Sequence, residues 1–314
     1  MRQVKMLRQG DTIGMIAPSG PASDRARIDQ AIAAIEALGF RVIAGASCFE
    51  KWGYLAGSDV LRANDINTFF ADPAIDGIFC MKGGDGAPRL LDRLDLPTIA
   101  RHPKVFLGYS DITALHLVFN QHADFITFHG PMPLVDFIKP EFAGYNHDNL
   151  RRALMSPAPL GEIAPPDDAP PVETLSPGDA EGELVGGNLA LICALMGTPF
   201  EIDTSGKILL IEDTDEANYR IDRMLTQLRL AGKLEAAAGI VIGQFTNTEP
   251  ADPNKRLSLD EVFTSLLLPL HTPILKLLSF GHDVYKATLP LGARARIDGT
   301  NRRLVVIESG VCEE

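Results

Sequence analysis

The stretch Val105-Phe106-Leu107-Gly108-Tyr109-Ser110-Asp111-Ile112-Thr113 sets the reading of the whole chain. It opens as a short apolar run, passes through a glycine and presents one hydroxyl. It then resumes with Ile112, Leu115, Leu117, Val118 and Phe119 in a helical pattern. A buried strand that turns sharply into a helix with serine at the bend resembles a nucleophile elbow, which holds Oγ exposed above a sheet edge. In that arrangement the N–H of the next residue, at the helix start, helps to stabilise an oxyanion. The same residues also suit a simpler role, since serine is a favoured N-cap and Ser110 precedes an apolar helix.

Outward from this stretch the chain alternates. Thr12 to Ala17 is an apolar run that stops at Pro18-Ser19-Gly20-Pro21, which predicts a buried strand and a turn. Ile28, Ala31, Ile32, Ile35 and Leu38 then recur at helical spacing, with Ser23 as the expected cap and Gly39 as the stop. Strands are expected at Phe40 to Ala44, Gly77 to Met81 and Phe125 to His129. Helices are expected near Asp59 to Phe70 and Ala87 to Leu91. Strands alternating with helices make βαβ units and a mostly parallel sheet, whose ligands bind beyond the carboxyl ends of the strands. Both Ser110 and the loop Lys82-Gly83-Gly84-Asp85-Gly86 follow such ends.

From Ser156 to Asp179 the periodicity stops. Seven prolines and several acids there read as a linker or crossover between domains. The expected division is therefore 1–155 for a first α/β domain, 156–180 for the linker and 181–314 for a second domain. In the second half, Gly186-Gly187-Asn188 opens an apolar helix. Ile208 to Ile211 is a buried strand that ends in Glu212-Asp213, and helices follow at Ile221 to Leu230 and Leu259 to Leu267. Strands at Gly239 to Gly243 and Ile274 to Leu278 come next, the latter delivering Phe280-Gly281-His282. The last run, from Ala287 to Ile307, looks like short antiparallel strands.

Composition narrows the function. The chain has 314 residues, 46% hydrophobic and 22% charged, which is ordinary for a globular protein of about two domains. A net charge of -12 argues against a nucleic-acid or anionic-membrane surface. No apolar run reaches the roughly 18 residues needed to span a bilayer, and the N-terminus shows no secretory signal. Cys48, Cys80, Cys193 and Cys312 lie far apart without a CxxC pair, as reduced thiols of a cytoplasmic protein do. No HExxH, CxxC pair or His/Asp cluster suggests a metal, and the glycine loop lacks GxGxxG and GK[ST] endings, so no cofactor is expected.

A serine nucleophile needs a base, and the base needs an orienting acid. Of seven histidines, His282 ends a strand between Gly281 and Asp283 and is the best-placed base, with His129 second. His102, His116, His122 and His147 fall in contexts that look solvated. Glu212 ends the most hydrophobic strand of the second half and is the favoured acid, with Asp213, Asp215 and Glu216 as competitors. The glycine loop offers backbone N–H groups to a reacting carbonyl, or is a plain turn. Trp52 and Tyr54, near Gly53 and Gly57, suit either a substrate-facing loop or packing.

Taken together, these motifs resemble one family. Ile13-Gly14-Met15-Ile16-Ala17-Pro18-Ser19-Gly20, Tyr54 to Asp59 with Arg62, and Lys82 to Gly86 with Arg89-Leu90-Leu91 occur in that order. They are followed by Gly108 to Thr113, His129-Gly130-Pro131, Gly186 to Leu189, Gly197-Thr198-Pro199, Leu210 to Asp213, Tyr219 to Leu225 and Phe280-Gly281-His282. The ordered set is similar to the LD-carboxypeptidases of the muramoyltetrapeptide carboxypeptidase and microcin-immunity serine peptidase group. The resemblance implies a flavodoxin-like N-terminal domain supplying Ser110 as nucleophile. It implies a β-rich α/β C-terminal domain supplying Glu212 as acid and His282 as base, with the site between domains in a cytoplasmic homodimer. The Asp111 N–H and a glycine-loop N–H, that of Gly84, would form the oxyanion hole. Many relatives carry a bulkier aromatic where Asp85 stands, so substrate contacts of that loop depart from the pattern here. Lys82, Arg89 and Lys286 are the candidates for holding the substrate's terminal carboxylate.

The implied reaction releases terminal D-alanine from a murein tetrapeptide, a small peptide substrate. Three alternatives stay open. One is hydrolysis of peptidyl or aminoacyl adenylates by the same triad. Another is an α/β-hydrolase, although Ile112 stands where the second glycine of GxSxG belongs. The third is a two-domain peptide-binding protein without chemistry.

Overall fold

A computed structural model describes residues 1–142, 144–248, 257–276 and 278–313. The described chain is α/β and divides into two compact units. The first comprises 1–159, 287–292 and 309–314; the second comprises 160–286 and 293–308. No helix among the described residues is long and apolar enough to cross a membrane.

The first unit is built on a six-stranded sheet. Its order is Leu289–Leu291, Thr127–His129, Val105–Gly108, Gly77–Cys80, Thr12–Ile16 and Arg41–Ala44. All neighbours are parallel except Leu289–Leu291, which pairs antiparallel with Thr127–His129. The three central strands are buried at every residue, as continuous apolar runs covered by helices on both faces must be. The edge strand Arg41–Ala44 instead alternates exposed and half-buried positions. Helix Asp59–Ala71 is capped by Ser58, whose hydroxyl accepts from the Leu61 N–H. Helix Arg25–Ala37 is capped by Asp24 rather than by Ser23. The Asp24 carboxylate accepts from the Arg27 N–H at 3.0 Å, while the Ser23 hydroxyl donates to that carboxylate.

Beneath the Ser110 elbow lies an aromatic cluster. The Phe106 and Phe119 rings meet edge-on at 4.9 Å, Phe70 and Phe119 at 5.3 Å, and Phe119 stacks on Phe125 at 5.7 Å. Each ring is fully buried, and each contributes about 2–3 kcal/mol by leaving water. The segment after the strand is not one regular helix. Ser110–Ile112 is a 3-10 turn, Thr113–Val118 is α-helical and Phe119–Ala123 is a π turn. His116 lies inside this segment and is buried rather than solvated. Its Nε2 donates to the Gly108 carbonyl at 2.9 Å, so its Nδ1 accepts from the Thr127 hydroxyl at 2.9 Å. Burial pushes its pKa down to about 3, which leaves it a neutral structural tie under the elbow.

The second unit holds an eight-stranded mixed sheet. Its order is Gly161–Glu162, Arg303–Val306, Arg294–Asp298, Asp179–Asn188, Ile208–Thr214, Gly239–Thr246, Ile274–Lys276 and Glu173–Ser176. The stretch from Asp179–Asn188 to Ile274–Lys276 is parallel, and the flanking pairs are antiparallel. The proline-rich segment thus contributes the two edge strands, Gly161–Glu162 and Glu173–Ser176. Edges are where proline near a strand leaves no ladder partner unpaired. Helix Asn218–Leu230 buries Ile221, Leu225 and Leu228 along one face, and Leu259–Leu267 starts at a Ser258/Glu261 capping box.

Candidate active site

Ser110 stands at φ 66°, the left-handed region that a side chain seldom occupies. Holding a non-glycine residue there costs about 1–2 kcal/mol, so a mere helix cap is a poor account of it. Ser110 is half-buried, and the residues on either side are buried. The glycine loop closes on it: a Cβ on Gly83 would lie 2.8 Å from Ser110 Cβ and 3.0 Å from Oγ. Only glycine lets the backbone approach the hydroxyl this closely. Gly84 has φ +123°, and a Cβ there would sit 3.1 Å from both Cα and N of Gly20. The loop after the first strand is therefore pressed against the glycine loop, joined by the Gly20 N–H to the Gly83 carbonyl at 3.2 Å.

The Asp111 side chain is engaged as well. Its carboxylate is buried and accepts from the Ser19 hydroxyl at 2.5 Å and the Ala87 N–H at 2.7 Å. Burial raises its pKa to about 6; the two hydrogen bonds and Arg62 oppose the rise, and the charge of Asp85 adds to it. A carboxyl whose folded pKa lies above its ordinary 3.8 adds stability below about pH 4 and loses it as pH rises through 6. Relative to the wild type, Asp111→Asn is therefore expected to gain up to about 3 kcal/mol of unfolding free energy between pH 4 and pH 7.5. Urea titrations at the two pH values measure this, and a pH-independent difference contradicts it.

In the second unit the candidate acid and base, 70 residues apart in sequence, are in contact. His282 Nδ1 lies 2.6 Å from Glu212 Oε2. The Glu212 side chain is completely buried and that of His282 is 14% exposed. An ionised carboxylate only accepts, so Nδ1 carries the proton and Nε2 is left with its lone pair. Burial disfavours the imidazolium, but the hydrogen bond and charge of Glu212, with Asp213, outweigh it, and the pKa is raised in spite of Lys286. Gly281, at φ +120°, allows this approach, since a Cβ there would meet Glu212 Oε2 at 3.0 Å.

The histidine loop is pinned from the neighbouring strand. The Gln244 side chain donates to the Tyr285 carbonyl at 3.0 Å and accepts from the Asp283 N–H at 3.0 Å. With Phe245, Phe263, Lys276 and Tyr285, Gln244 also lines a cavity of about 500 Å³, the size of a small-ligand pocket. Asp213 is held by the Asn188 amide at 2.9 Å and the Ala190 N–H at 2.9 Å. Burial, then the charge of Glu212, pushes its pKa up to about 6. Asp213 thus anchors the strand end rather than competing for His282.

The remaining candidates divide. In the first unit, Lys82 is half-buried with its ammonium near Gly20, and Asp85 is exposed. Arg89 is tied through two bonds to Asp59 at 2.8 and 2.9 Å and lies 5.9 Å from the exposed Trp52 ring. Tyr54 is exposed as well. In the second unit, Lys286 is buried and donates to the Asp283 carbonyl beside His282. His129, the second candidate base, is buried on the first sheet with its ring 5.8 Å from that of Tyr109. Sequence reasoning missed the Asp111 carboxylate, Ser19, Asp59 and Gln244 as organisers, because, apart from the local Asp59–Arg62 pair, their partners lie distant in the chain.

The chain is similar to several known proteins. A family profile described as the LD-carboxypeptidase N-terminal domain matches residues 13–130, and one for the LD-carboxypeptidase C-terminal domain matches 181–297. A probable murein peptide carboxypeptidase of Bacillus subtilis is 40% identical over 98% of this chain and 95% of its own length. The microcin C7 self-immunity protein MccF of Escherichia coli is 28% identical over 98% and 96%. Among solved structures, apo MccF superposes with a TM-score of 0.91 at 26% identity, covering 99% of this chain and 100% of its own. Muramoyltetrapeptide carboxypeptidase from Oxalobacter formigenes superposes at 0.82 and 28%, covering 95% and 99%.

Proposed function

Because the chain belongs to the LD-carboxypeptidase family, we propose that it is a serine carboxypeptidase that releases terminal D-alanine from murein tetrapeptides. The observation that carries the reading is the 2.6 Å bond from the buried Glu212 carboxylate to His282. Burying a charge is costly, and here the hydrogen bond to His282 offsets part of the cost and fixes one histidine tautomer. In this mechanism Ser110 Oγ attacks the carbonyl on the L-centre of the scissile bond while His282 Nε2 takes its proton. The tetrahedral oxyanion is held by the N–H groups of Asp111 and Gly84. Collapse expels the D-alanine amine, which receives the proton from His282 and leaves an acyl-Ser110 ester. Water, deprotonated by His282, then hydrolyses that ester and restores the serine. Lys82, Arg89 and Lys286 are the cations proposed for the substrate's carboxylates. Of these, Arg89 already shares Asp59 with Arg62.

A second reading keeps the triad and changes the substrate to a peptidyl or aminoacyl adenylate. It draws support from the higher TM-score to MccF, 0.91 against 0.82. One experiment separates the two: the purified protein is incubated in parallel with murein tetrapeptide and with an aminoacyl sulfamoyl adenosine, and products are read by mass. The expected result is loss of one alanine from the tetrapeptide, with much slower attack on the nucleoside. Preferential cleavage of the nucleoside reverses the assignment, and no product from either removes the hydrolase reading.

A further inference from the structure

Two loops bear on Ser110, the Pro18–Gly20 turn and the glycine loop from Gly83 to Ala87, and two buried charged side chains hold both of them. From one side comes Arg62, whose side chain is fully buried. Its Nη1 donates to the Pro18 carbonyl and to the Gly86 carbonyl at 3.0 Å, and its Nη2 donates to Asp59 at 2.6 Å. From the other side comes Asp111, which accepts from the Ser19 hydroxyl and from the Ala87 N–H. The cation therefore ties residue 18 to residue 86, and the anion ties residue 19 to residue 87. The Pro18–Gly20 turn and residues 83–86 have no regular structure of their own to fix the direction of their amides, and Ala87 opens the 3-10 turn Ala87–Arg93.

We infer that the Asp111 side chain is a positioning residue, which aims the glycine-loop amides at the oxyanion by clamping Ser19 and Ala87 to the nucleophile elbow. Two observations support this. Asp111 is covalently next to Ser110, so any displacement of the elbow is transmitted to Ala87 through a single side chain. Burial also makes this carboxylate costly at neutral pH, and a plain turn would need no such group. The inference rests on the reading of Ser110 as nucleophile and goes beyond it. It assigns work to a side chain in a residue whose backbone alone that reading uses.

The test is Asp111→Ala in the full chain, followed by steady-state kinetics on murein tetrapeptide and by amide hydrogen exchange. Losing the aim of one oxyanion donor costs roughly a hundredfold or more in kcat. The expected result is a kcat lower by about 100-fold with KM within about 3-fold, since ground-state binding does not use the misdirected amide. Exchange at Gly83 to Ala87 should quicken while the strand Val105–Gly108 stays protected. Asp111→Asn, which keeps an acceptor oxygen for both donors, should recover kcat to within roughly tenfold of wild type. If Asp111→Ala does not fold, Ser19→Ala removes one donor alone and should lower kcat by a few-fold with the same loop-specific exchange. An unchanged kcat in both variants, or KM rising in step with the loss of kcat, overturns the inference. A wild-type protein that turns over no substrate and is not labelled by a serine-directed probe sinks the hydrolase reading instead. In that case the exchange rates at Gly83 to Ala87 still decide whether the clamp exists.

Discussion

On the proposed mechanism, Ser110→Ala is expected to lower D-alanine release by at least about 10⁴-fold, because removing the nucleophile from an acyl-transfer triad would leave only binding and the oxyanion donors. Folding should survive the change. Alanine keeps the Cβ that glycine lacks, so the strained φ of 66° and its cost are the same in both proteins. The hydroxyl makes no contact that the Phe70, Phe106, Phe119 and Phe125 cluster requires. The melting temperature should therefore move little while turnover and labelling by a fluorophosphonate both vanish. Ser110→Gly separates strain from chemistry. It should be equally inactive but more stable by about 1 kcal/mol, since glycine occupies positive φ without penalty. Turnover above about one per cent of wild type in Ser110→Ala would remove this serine from the mechanism and return it to the role of a cap.

Glu212→Gln should be nearly as damaging, with kcat lower by roughly 10³- to 10⁴-fold, and it carries a second signature in its pH dependence. The amide presents either its oxygen or its NH₂ to His282 Nδ1. The NH₂ arrangement enforces the tautomer in which Nε2 is protonated and cannot act as a base. The pH signature follows from the balance at His282, where burial disfavours the imidazolium while the bond and charge of Glu212 favour it more strongly. With the Glu212 charge removed, only the charge of Asp213 still opposes burial and the neighbouring Lys286, and the histidine pKa falls. The base must be neutral to work, so the acid limb of the residual kcat/KM profile should move to lower pH. His282→Ala should match Ser110→Ala in magnitude, and the double variant should lose no more than either alone, as groups acting as one unit do. Full activity in Glu212→Gln, or an acid limb that does not move, argues against this pair as the catalytic acid and base.

Much of the architecture was legible because it is carried by local pattern. Thr12–Ile16, Gly77–Cys80 and Val105–Gly108 are short apolar runs with turn residues behind them, and they became the buried centre of the first sheet. Helices Asp59–Ala71 and Leu259–Leu267 begin where their capping serines stand. The misreadings have equally local causes. Ser23 and Asp24 are both good caps, and pattern cannot say which backbone angle each will take. The proline-rich segment has no strand periodicity, yet Glu173–Ser176 gains its hydrogen bonds from Ile274–Lys276, a partner about a hundred residues away in the chain. His116 reads as a surface residue by type and is buried because Gly108 and Thr127 satisfy both ring nitrogens.

By itself, then, the amino-acid order determines an α/β chain with a serine at the end of a buried strand, a glycine loop after another, and a carboxylate and a histidine at strand ends further on. Those features depend on residues a few positions apart, where backbone sterics and hydrophobic period act directly. Tertiary structure brings Glu212, which the sequence already favoured among four neighbouring acids, into contact with His282, and it alone decided two further things. Gly83, rather than its glycine neighbours, lies against Ser110 Oγ. The Asp111 side chain reaches back across 92 residues to Ser19. Each is a contact between segments distant in sequence, set by how strands register in a sheet, and no local pattern of residues encodes which partner a buried charge will find.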